Sequence, residues 1–199
     1  MITVIDYGGG NIKSILNVLK RCNTDFQVSS KEKEIHSSSK LILPGVANFS
    51  YCMKNLKEKK LDKIINDFVN DNKPFLGICS GMQILGSFSE EGNCDGLNLI
   101  EGQIKKFPID KCKIVPHMGW NKIEINQSSL TKNIKNYQRF YFCHSYYFEP
   151  KYVDNIMLTT NYHINFCSGI KKNKIFGIQF HPEKSLDDGI KLFNNFINF

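Results

Sequence analysis

The first half of the chain alternates short apolar runs with stretches whose apolar residues recur at helical spacing. The run at residues 2–7 predicts a buried strand, whereas Ile12, Ile15 and Leu19 fall on one face of a helix. The predicted elements of this half are, in order, a strand at 2–7, a helix at 11–21, a strand at 40–43, helices at 49–56 and 61–70, and a strand at 73–78.

The second half is dominated by short strands and ends in a helix. Its predicted elements are strands at 121–125, 139–143, 156–160, 166–171 and 174–180, and a helix at 186–197. Strands that alternate with helices form an α/β sheet with helices on its faces, and the later strands extend this sheet or add a small antiparallel layer. Because no linker, repeat or low-complexity block divides the chain, residues 1–199 are predicted to form a single domain.

A cysteine occupies the junction between a predicted strand and a predicted helix. Glycines at 77 and 81 permit the tight strand-to-helix turn that exposes the nucleophile in G-x-S-x-G hydrolases. A thiol at this corner lies near the unpaired N–H groups of the helix, whose partial positive charge favours the thiolate. Cys79 is therefore a candidate nucleophile, although the elbow alone is equally compatible with a buried structural cysteine.

A histidine and a glutamate follow the last predicted strand. In an extended backbone, residues i and i+2 point the same way, so the Glu183 carboxylate is expected to lie beside the His181 ring. A thiol, an imidazole and an orienting carboxylate are the groups that acyl transfer requires. His181 alone would more commonly be a structural histidine, but together the two motifs predict a catalytic triad of Cys79, His181 and Glu183.

Composition and charge narrow the class of protein. The chain has 199 residues, of which 41% are hydrophobic and 23% charged, which is ordinary for one globular domain. The net charge of +7 comes from dispersed lysines mixed with acidic residues, and only two arginines are present, so no nucleic-acid partner is predicted. No segment has the length and apolar character of a secretory leader or membrane span, so a cytoplasmic protein is expected.

The cysteines predict neither disulfides nor a metal site. Their number, seven, is odd, their spacing is wide, and no C-x-x-C pair occurs, so no zinc cluster is expected. The six cysteines other than Cys79 are interpreted as reduced structural or surface thiols.

Five further segments carry a resemblance to a known family. They are DYGGGN at 6–11, LPGV at 43–46, PHMGWN at 116–121, FCHSY at 142–146 and QFHPEKS at 179–185. With the G-x-C-x-G elbow and Gln83 four residues after Cys79, the chain resembles the class I (triad) glutamine amidotransferases. Within that family, these strings in this order resemble the glutaminase subunits of imidazole glycerol phosphate synthase, usually called HisH, over essentially the whole chain.

The resemblance implies a fold and a set of site residues. The implied fold is the flavodoxin-like three-layer α/β fold with a central, mostly parallel sheet and extra antiparallel strands. The implied chemistry is hydrolysis of the glutamine side-chain amide without a metal or cofactor. Backbone N–H groups of Ser80 and Val46 are implied as the oxyanion hole, the latter after a backbone rearrangement. Implied substrate-binding positions are Gly45, Gln83, Glu91, His144, Ser145 and Tyr146. From the residues alone, Glu91 fits a solvated surface and His144 a packed sheet position equally well.

The resemblance also implies a partner, because free ammonia is lost to water unless a consumer is close. That partner is a cyclase (β/α)8-barrel of the HisF type, which converts ammonia and a phosphoribosyl-formimino intermediate into imidazole glycerol phosphate and AICAR. Positions implied to face the barrel in a heterodimer are Asn11, Trp120, Tyr141 and Lys184. From the residues alone, Trp120 fits a core position as well as an interface.

One position departs from the family's usual pattern. Relatives commonly have Pro-Gly-Val-Gly where this chain has Pro44-Gly45-Val46-Ala47. Alanine restricts positive φ, so the loop is either stiffer or unaffected if that position never needs positive φ. Two other functions therefore stay open: a paralogous glutaminase that supplies ammonia for amidination of a surface sugar, and a catalytically silent regulatory subunit.

Overall fold

The computed structural model describes residues 1–112, 114–126 and 128–199. The first half contains strands and helices in alternation: β1 Ile2–Ile5, α1 Ile12–Arg21, β2 Phe26–Ser29, α2 Glu32–His36, β3 Lys40–Gly45, α3 Phe49–Glu58, α4 Leu61–Asn70, β4 Phe75–Cys79 and α5 Ser80–Gln83. The second half contains mostly strands: β5 Phe88–Ser89, β6 Cys94–Asp95, β7 Gly102–Lys106, β8 His117–Lys122, β9 Glu124–Ile125, β10 Arg139–His144, β11 Tyr146–Pro150, β12 Ile156–Tyr162, β13 Ile164–Lys172, β14 Ile175–Ile178 and α6 Leu186–Ile197.

The main sheet joins a parallel half to an antiparallel half. Its strand order is β2-β1-β3-β4-β14-β13-β11-β7-β5-β6, with β12 also paired to β13 and β9 paired to β12. The strands from β2 to β14 are parallel, whereas β13, β11 and β7 pair antiparallel. Strands β8 and β10 form a separate antiparallel pair. The parallel half has the 2-1-3-4-5 order of flavodoxin-like folds.

Helices cover both faces of the sheet. On one face, α1 and α6 pack with β10 through residues such as Leu19, Phe142 and Phe193. On the other face, α3 and α4 bury residues such as Phe49 and Phe68. Successive residues of β3 point to opposite faces, because Leu41 and Leu43 join the second cluster and Ile42 joins the first. The predicted three-layer α/β fold is confirmed.

Several element boundaries differ from the sequence predictions. The strand predicted at 121–125 begins earlier, at His117, and is interrupted at Ile123. The helix predicted after Cys79 is only the single turn Ser80–Gln83. The sequence pattern does not predict strands β2, β7 and β11 or helix α2, because each has only four or five residues of mixed polarity.

The topology brings the carboxyl ends of three strands, β3, β4 and β14, to one end of the sheet. The register pairs Gly45 with Cys79 between β3 and β4, and Ile178 with Ile78 between β14 and β4. The carboxyl ends of these parallel strands therefore meet, as at the ligand sites of open α/β sheets. Across the described residues, no helix combines the length and apolar character needed to cross a bilayer.

Candidate active site

Cys79 lies at a strained elbow between β4 and α5. Its backbone has φ 54° and ψ −113°, an unfavourable conformation for a residue with a Cβ, and its side chain is 4% exposed. The flanking glycines are needed for close approach: a Cβ on Gly81 would lie 2.0 Å from the Leu43 carbonyl oxygen, and one on Gly77 would lie 2.4 Å from that of Gly81. Because α5 is a single turn, its dipole is a minor influence on the sulfur.

His181 and Glu183 form a buried ion pair beside this cysteine. The His181 Nδ1 lies 2.8 Å from Glu183 Oε1, and the two side chains are 3% and 2% exposed. Within the described chain, the second carboxylate oxygen, Glu183 Oε2, is buried without a hydrogen-bond partner. The contact forms although Pro182–Lys184 is a 3-10 turn rather than the extended backbone expected from the sequence.

The charges around His181 favour the imidazolium. Burial lowers its pKa, but the neighbouring Cys79 side chain and the Glu183 carboxylate together raise the pKa to about 10. The ring is therefore a cation at neutral pH, hydrogen-bonded to the Glu183 carboxylate through Nδ1 and bordering the same cavity as Cys79. An imidazolium in this position is the proton donor that acyl transfer from an amide needs.

The loop between β3 and α3 lies against the elbow in a well-bonded conformation. The backbone N–H groups of Val46 and Ala47 donate to the Gly9 carbonyl over 2.9 and 3.3 Å. The buried Tyr7 hydroxyl donates to the Pro44 carbonyl over 2.8 Å. The Ser80 hydroxyl donates to the Ala47 carbonyl over 2.7 Å. The Val46 N–H, expected as an oxyanion donor, is thus bonded to Gly9 in this conformation.

A cavity of about 240 Å³ opens over Cys79 and His181. Most of the residues expected at the substrate border it, and it is lined by Val46, Ala47, Asn48, Cys79, Ser80, Gln83, Glu91, Cys143, His144, Ser145, Tyr146, His181 and Lys184. Gly45 lies at the carboxyl end of β3, where a Cβ would lie 2.3 Å from Gly81 N. A side chain does not fit there, so Gly45 can contribute only backbone atoms to the site. Glu91 accepts from the Phe49 N–H over 2.8 Å and so also anchors the start of α3.

His144 belongs to a chain of buried hydrogen bonds. Its Nδ1 lies 2.7 Å from the Tyr146 carbonyl oxygen, and its Nε2 lies 2.9 Å from His117 Nδ1. The Asn121 amide nitrogen lies 3.1 Å from His117 Nε2 and donates to the Asn161 carbonyl. Burial lowers the pKa of His117 to about 4 and that of His144 to about 3, so both rings are neutral. Both ring nitrogens of His144 are therefore engaged within the protein.

Three of the four residues expected at a partner interface form one surface patch, the Trp120 patch. Trp120 is 46% exposed and packs edge-on against Tyr141, with ring centroids 6.2 Å apart. The Lys184 ammonium lies 5.4 Å from the Tyr141 ring centroid. The Tyr141 carbonyl accepts from the His181 N–H over 2.8 Å, so the Trp120 patch is one hydrogen bond from His181. Asn11 caps no backbone group of α1 and donates to Ser14 Oγ.

Sequence reasoning missed three residues of the site. Tyr7 supports the loop, His117 orients His144, and Gln179 places its amide nitrogen 3.7 Å from Cys79 Sγ. All three lie in strings that carry the resemblance, at 6–11, 116–121 and 179–185, and Gln179 also lies two positions before His181 at the end of a predicted strand. The seven cysteines are free, and in the described part of the chain no three His, Cys, Asp or Glu side chains converge as a metal site.

Comparisons with known proteins agree with this geometry. The chain matches the family described as Glutamine amidotransferase class-I over residues 3–199. It is 42% identical over 201 residues to the imidazole glycerol phosphate synthase subunit HisH of Leptospira interrogans, with 98% of both chains covered. It is 43% identical over 199 residues to subunit HisH 2 of Methanococcus maripaludis, with 99% of this chain and 98% of the relative covered. A crystal structure of a glutamine amidotransferase shares the fold, with a TM-score of 0.79 at 15% identity, covering 99% of this chain and 97% of that one. The chain therefore belongs to the class-I glutamine amidotransferase family, and HisH subunits are relatives of it over its full length.

Proposed function

We propose that the chain is the glutaminase subunit of an imidazole glycerol phosphate synthase and acts through Cys79, His181 and Glu183. The observation that carries the proposal is the buried His181–Glu183 pair, 2.8 Å apart, at the same cavity as a cysteine on a strained elbow. The names of the full-length relatives support the HisH assignment.

In the proposed reaction, Cys79 Sγ attacks the carbon of the glutamine side-chain amide. As the C–N bond breaks, His181 gives its proton to the nitrogen, so that ammonia leaves and a glutamyl thioester remains. His181 then takes a proton from water, which attacks the thioester, and glutamate is released with the thiol restored. Glu183 holds the imidazole in orientation and stabilises its charge.

Each tetrahedral intermediate carries an oxyanion that needs preorganised donors, and one missing donor typically costs about 3 kcal/mol of barrier. The Ser80 N–H, at the start of α5, is the proposed first donor. The Val46 N–H is the proposed second donor, but it is bonded to Gly9 in the resting loop. Slow hydrolysis by the isolated chain, and activation when a partner rearranges the loop, follow from this arrangement.

The proposed partner is a (β/α)8-barrel cyclase that binds at the Trp120 patch and consumes the ammonia. The patch borders the cavity through Lys184 and the backbone of Tyr141 bonds to His181, so a partner there would close the site from water. The proposed products of the complex are imidazole glycerol phosphate, which the names of the relatives contain, and AICAR.

The test is glutamate release by the chain alone, and by the chain mixed with a HisF-type barrel and its nucleotide ligand. We expect slow release alone, a strong rise with the liganded barrel, formation of imidazole glycerol phosphate, and no activity in Cys79→Ser. Equal rates with and without the barrel would contradict partner gating. Glutamate release without imidazole glycerol phosphate would contradict the histidine-pathway assignment, and an inactive wild-type complex would support a silent regulatory subunit instead.

A further inference from the structure

Gln179 is a fully buried amide that contacts the nucleophile and has no role in the reaction described above. It follows β14 directly and is 0% exposed. Its Nε2 lies 3.7 Å from Cys79 Sγ, a distance suited to a hydrogen bond to sulfur. Its Oε1 lies 3.0 Å from the amide nitrogen of Gln83.

The surrounding groups determine which end of this amide faces the sulfur. The Tyr146 carbonyl oxygen is only an acceptor, so the Gln83 atom 2.9 Å from it must be the amide nitrogen. That same nitrogen contacts Gln179, which must therefore present its oxygen to Gln83. The Gln179 nitrogen therefore faces Cys79, because the oxygen of the same amide accepts from Gln83.

We propose that Gln179 is a further catalytic residue, whose side-chain amide donates a hydrogen bond to the Cys79 sulfur and holds it for attack. An N–H donor bonds more strongly to a charged sulfur than to a neutral thiol, so the contact favours the thiolate–imidazolium pair. Because the amide is fixed on its other side by Gln83, it also restrains the position of the sulfur. The effect on turnover rests on the proposed glutaminase function, whereas the effect on thiol reactivity does not.

The test compares Gln179→Met with Gln179→Glu. Methionine keeps the volume but removes both polar groups, whereas glutamate keeps an acceptor for Gln83 and replaces the donor by a carboxylate oxygen. We expect both variants to slow alkylation of Cys79 by iodoacetamide at pH 8 by about tenfold, as loss of a hydrogen bond to a charged group predicts. Peptide mass spectrometry of the isolated chain measures this rate, and the other six cysteines are internal references. With the barrel present, kcat for glutamate release should fall by a similar factor while KM changes less than twofold.

The two variants separate the donor role from simple packing. Wild-type alkylation rates in both variants would overturn the proposal. A slow Met variant beside a wild-type rate in the Glu variant would also overturn it, because only the contact with Gln83 would then matter. Slow alkylation in both variants, with a wild-type complex that releases no glutamate, would support the contact and contradict the proposed function.

A second measurement applies if either variant fails to fold. The side-chain amide signals of Gln179 in a ¹⁵N NMR spectrum of the wild-type chain are compared with those of Cys79→Ala. Loss of the sulfur should move one Gln179 amide proton upfield, while the amide of the exposed Asn136 stays in place as the control. Unchanged Gln179 signals would overturn the proposal.

Discussion

Burial and charge act in opposite directions on His181. Removal of the ring from water lowers its pKa, but the neighbouring Cys79 and Glu183 raise it to about 10. Because this value lies above that of an unfolded histidine, the contribution of the cation to stability is complete below about pH 6.5 and is lost as the pH rises through about 10. The same proton is the one that the proposed reaction gives to the leaving nitrogen.

Replacement of Glu183 by glutamine tests this balance. Glu183→Gln keeps the shape but removes the negative charge, so the imidazolium is less stable and the alkaline decline of kcat/KM should move to lower pH. The rate at neutral pH should fall by at least about tenfold, since the acid is no longer well oriented or charged. The measurement is the pH profile of glutamate release by the complex, with the exposed carboxylate variant Glu124→Gln as control. If the alkaline decline of kcat/KM stayed at the wild-type pH, Glu183 would not control the pKa of His181.

Ser80 contributes a side-chain bond as well as its backbone N–H. Its hydroxyl donates to the Ala47 carbonyl and so ties the elbow to the resting loop. Ser80→Ala removes a bond worth about 1 kcal/mol, and basal glutamate release by the isolated chain should rise about fivefold as the loop leaves Gly9 more readily. The rate with the barrel bound should change little.

Ser80→Cys provides the matched control, since a thiol is a weak donor of similar shape. Its basal rate is expected to lie between those of the wild type and the alanine variant. A basal rate in Ser80→Ala at or below the wild-type value would contradict a restraining role for the hydroxyl.

At the scale of elements, the helices with clear apolar periodicity were predictable from the sequence. The bounds of α4 and α6 are the predicted ones, because each presents one apolar face over ten or more residues. The four-residue strand β2 and the five-residue helix α2 have too few residues for a period to emerge. Cys79, His181 and Glu183 could be named as candidates from the sequence because they lie in short motifs. Gln179 and Tyr146 meet Gln83 across 96 and 63 positions of the chain, and no local pattern encodes such contacts.

The paired strands β8 and β10 place two neutral histidines, His117 and His144, in the core. These buried rings are expected to lower the free energy of unfolding in acid. Their folded pKa values, about 4 and about 3, lie below that of an unfolded histidine. Between pH 6.5 and 4 the unfolded chain therefore binds protons that the folded chain does not, so stability falls as the pH falls. In His117→Gln the free energy of unfolding should change less steeply with pH between 6.5 and 4, by at most about 1.4 kcal/mol per pH unit.

Urea unfolding at several pH values measures that slope. The variant His163→Asn, which removes an exposed histidine at a position of positive φ, controls for loss of an imidazole. Equal slopes in the wild type and His117→Gln would show that the buried ring takes up protons as readily as an unfolded one.

At the scale of the whole molecule, the site lies where the parallel half of the sheet meets the antiparallel half. Strand β14 is far from β4 along the chain but pairs with it in the sheet. This pairing brings Cys79, at the end of β4, close to His181, which follows β14. The separate β8–β10 pair then places the Trp120 patch beside the same cavity. A partner bound there would contact the backbone that bonds to His181, which connects binding to chemistry over a short path.

Trp120 is expected to anchor that partner. A large aromatic side chain that is half exposed and supported edge-on by Tyr141 has the features of an interface hot spot. Trp120→Ala should weaken binding of the barrel by about thirtyfold, the effect of about 2 kcal/mol, while the melting temperature of the isolated chain changes little. Isothermal titration calorimetry with the purified barrel measures the affinity.

Tyr152→Ala is the control variant. It removes an aromatic that is 50% exposed and does not line the cavity, and it should leave the affinity unchanged. Equal affinities of the wild type and Trp120→Ala would place the partner on another surface, and the short path from the Trp120 patch to His181 would then play no part in activation.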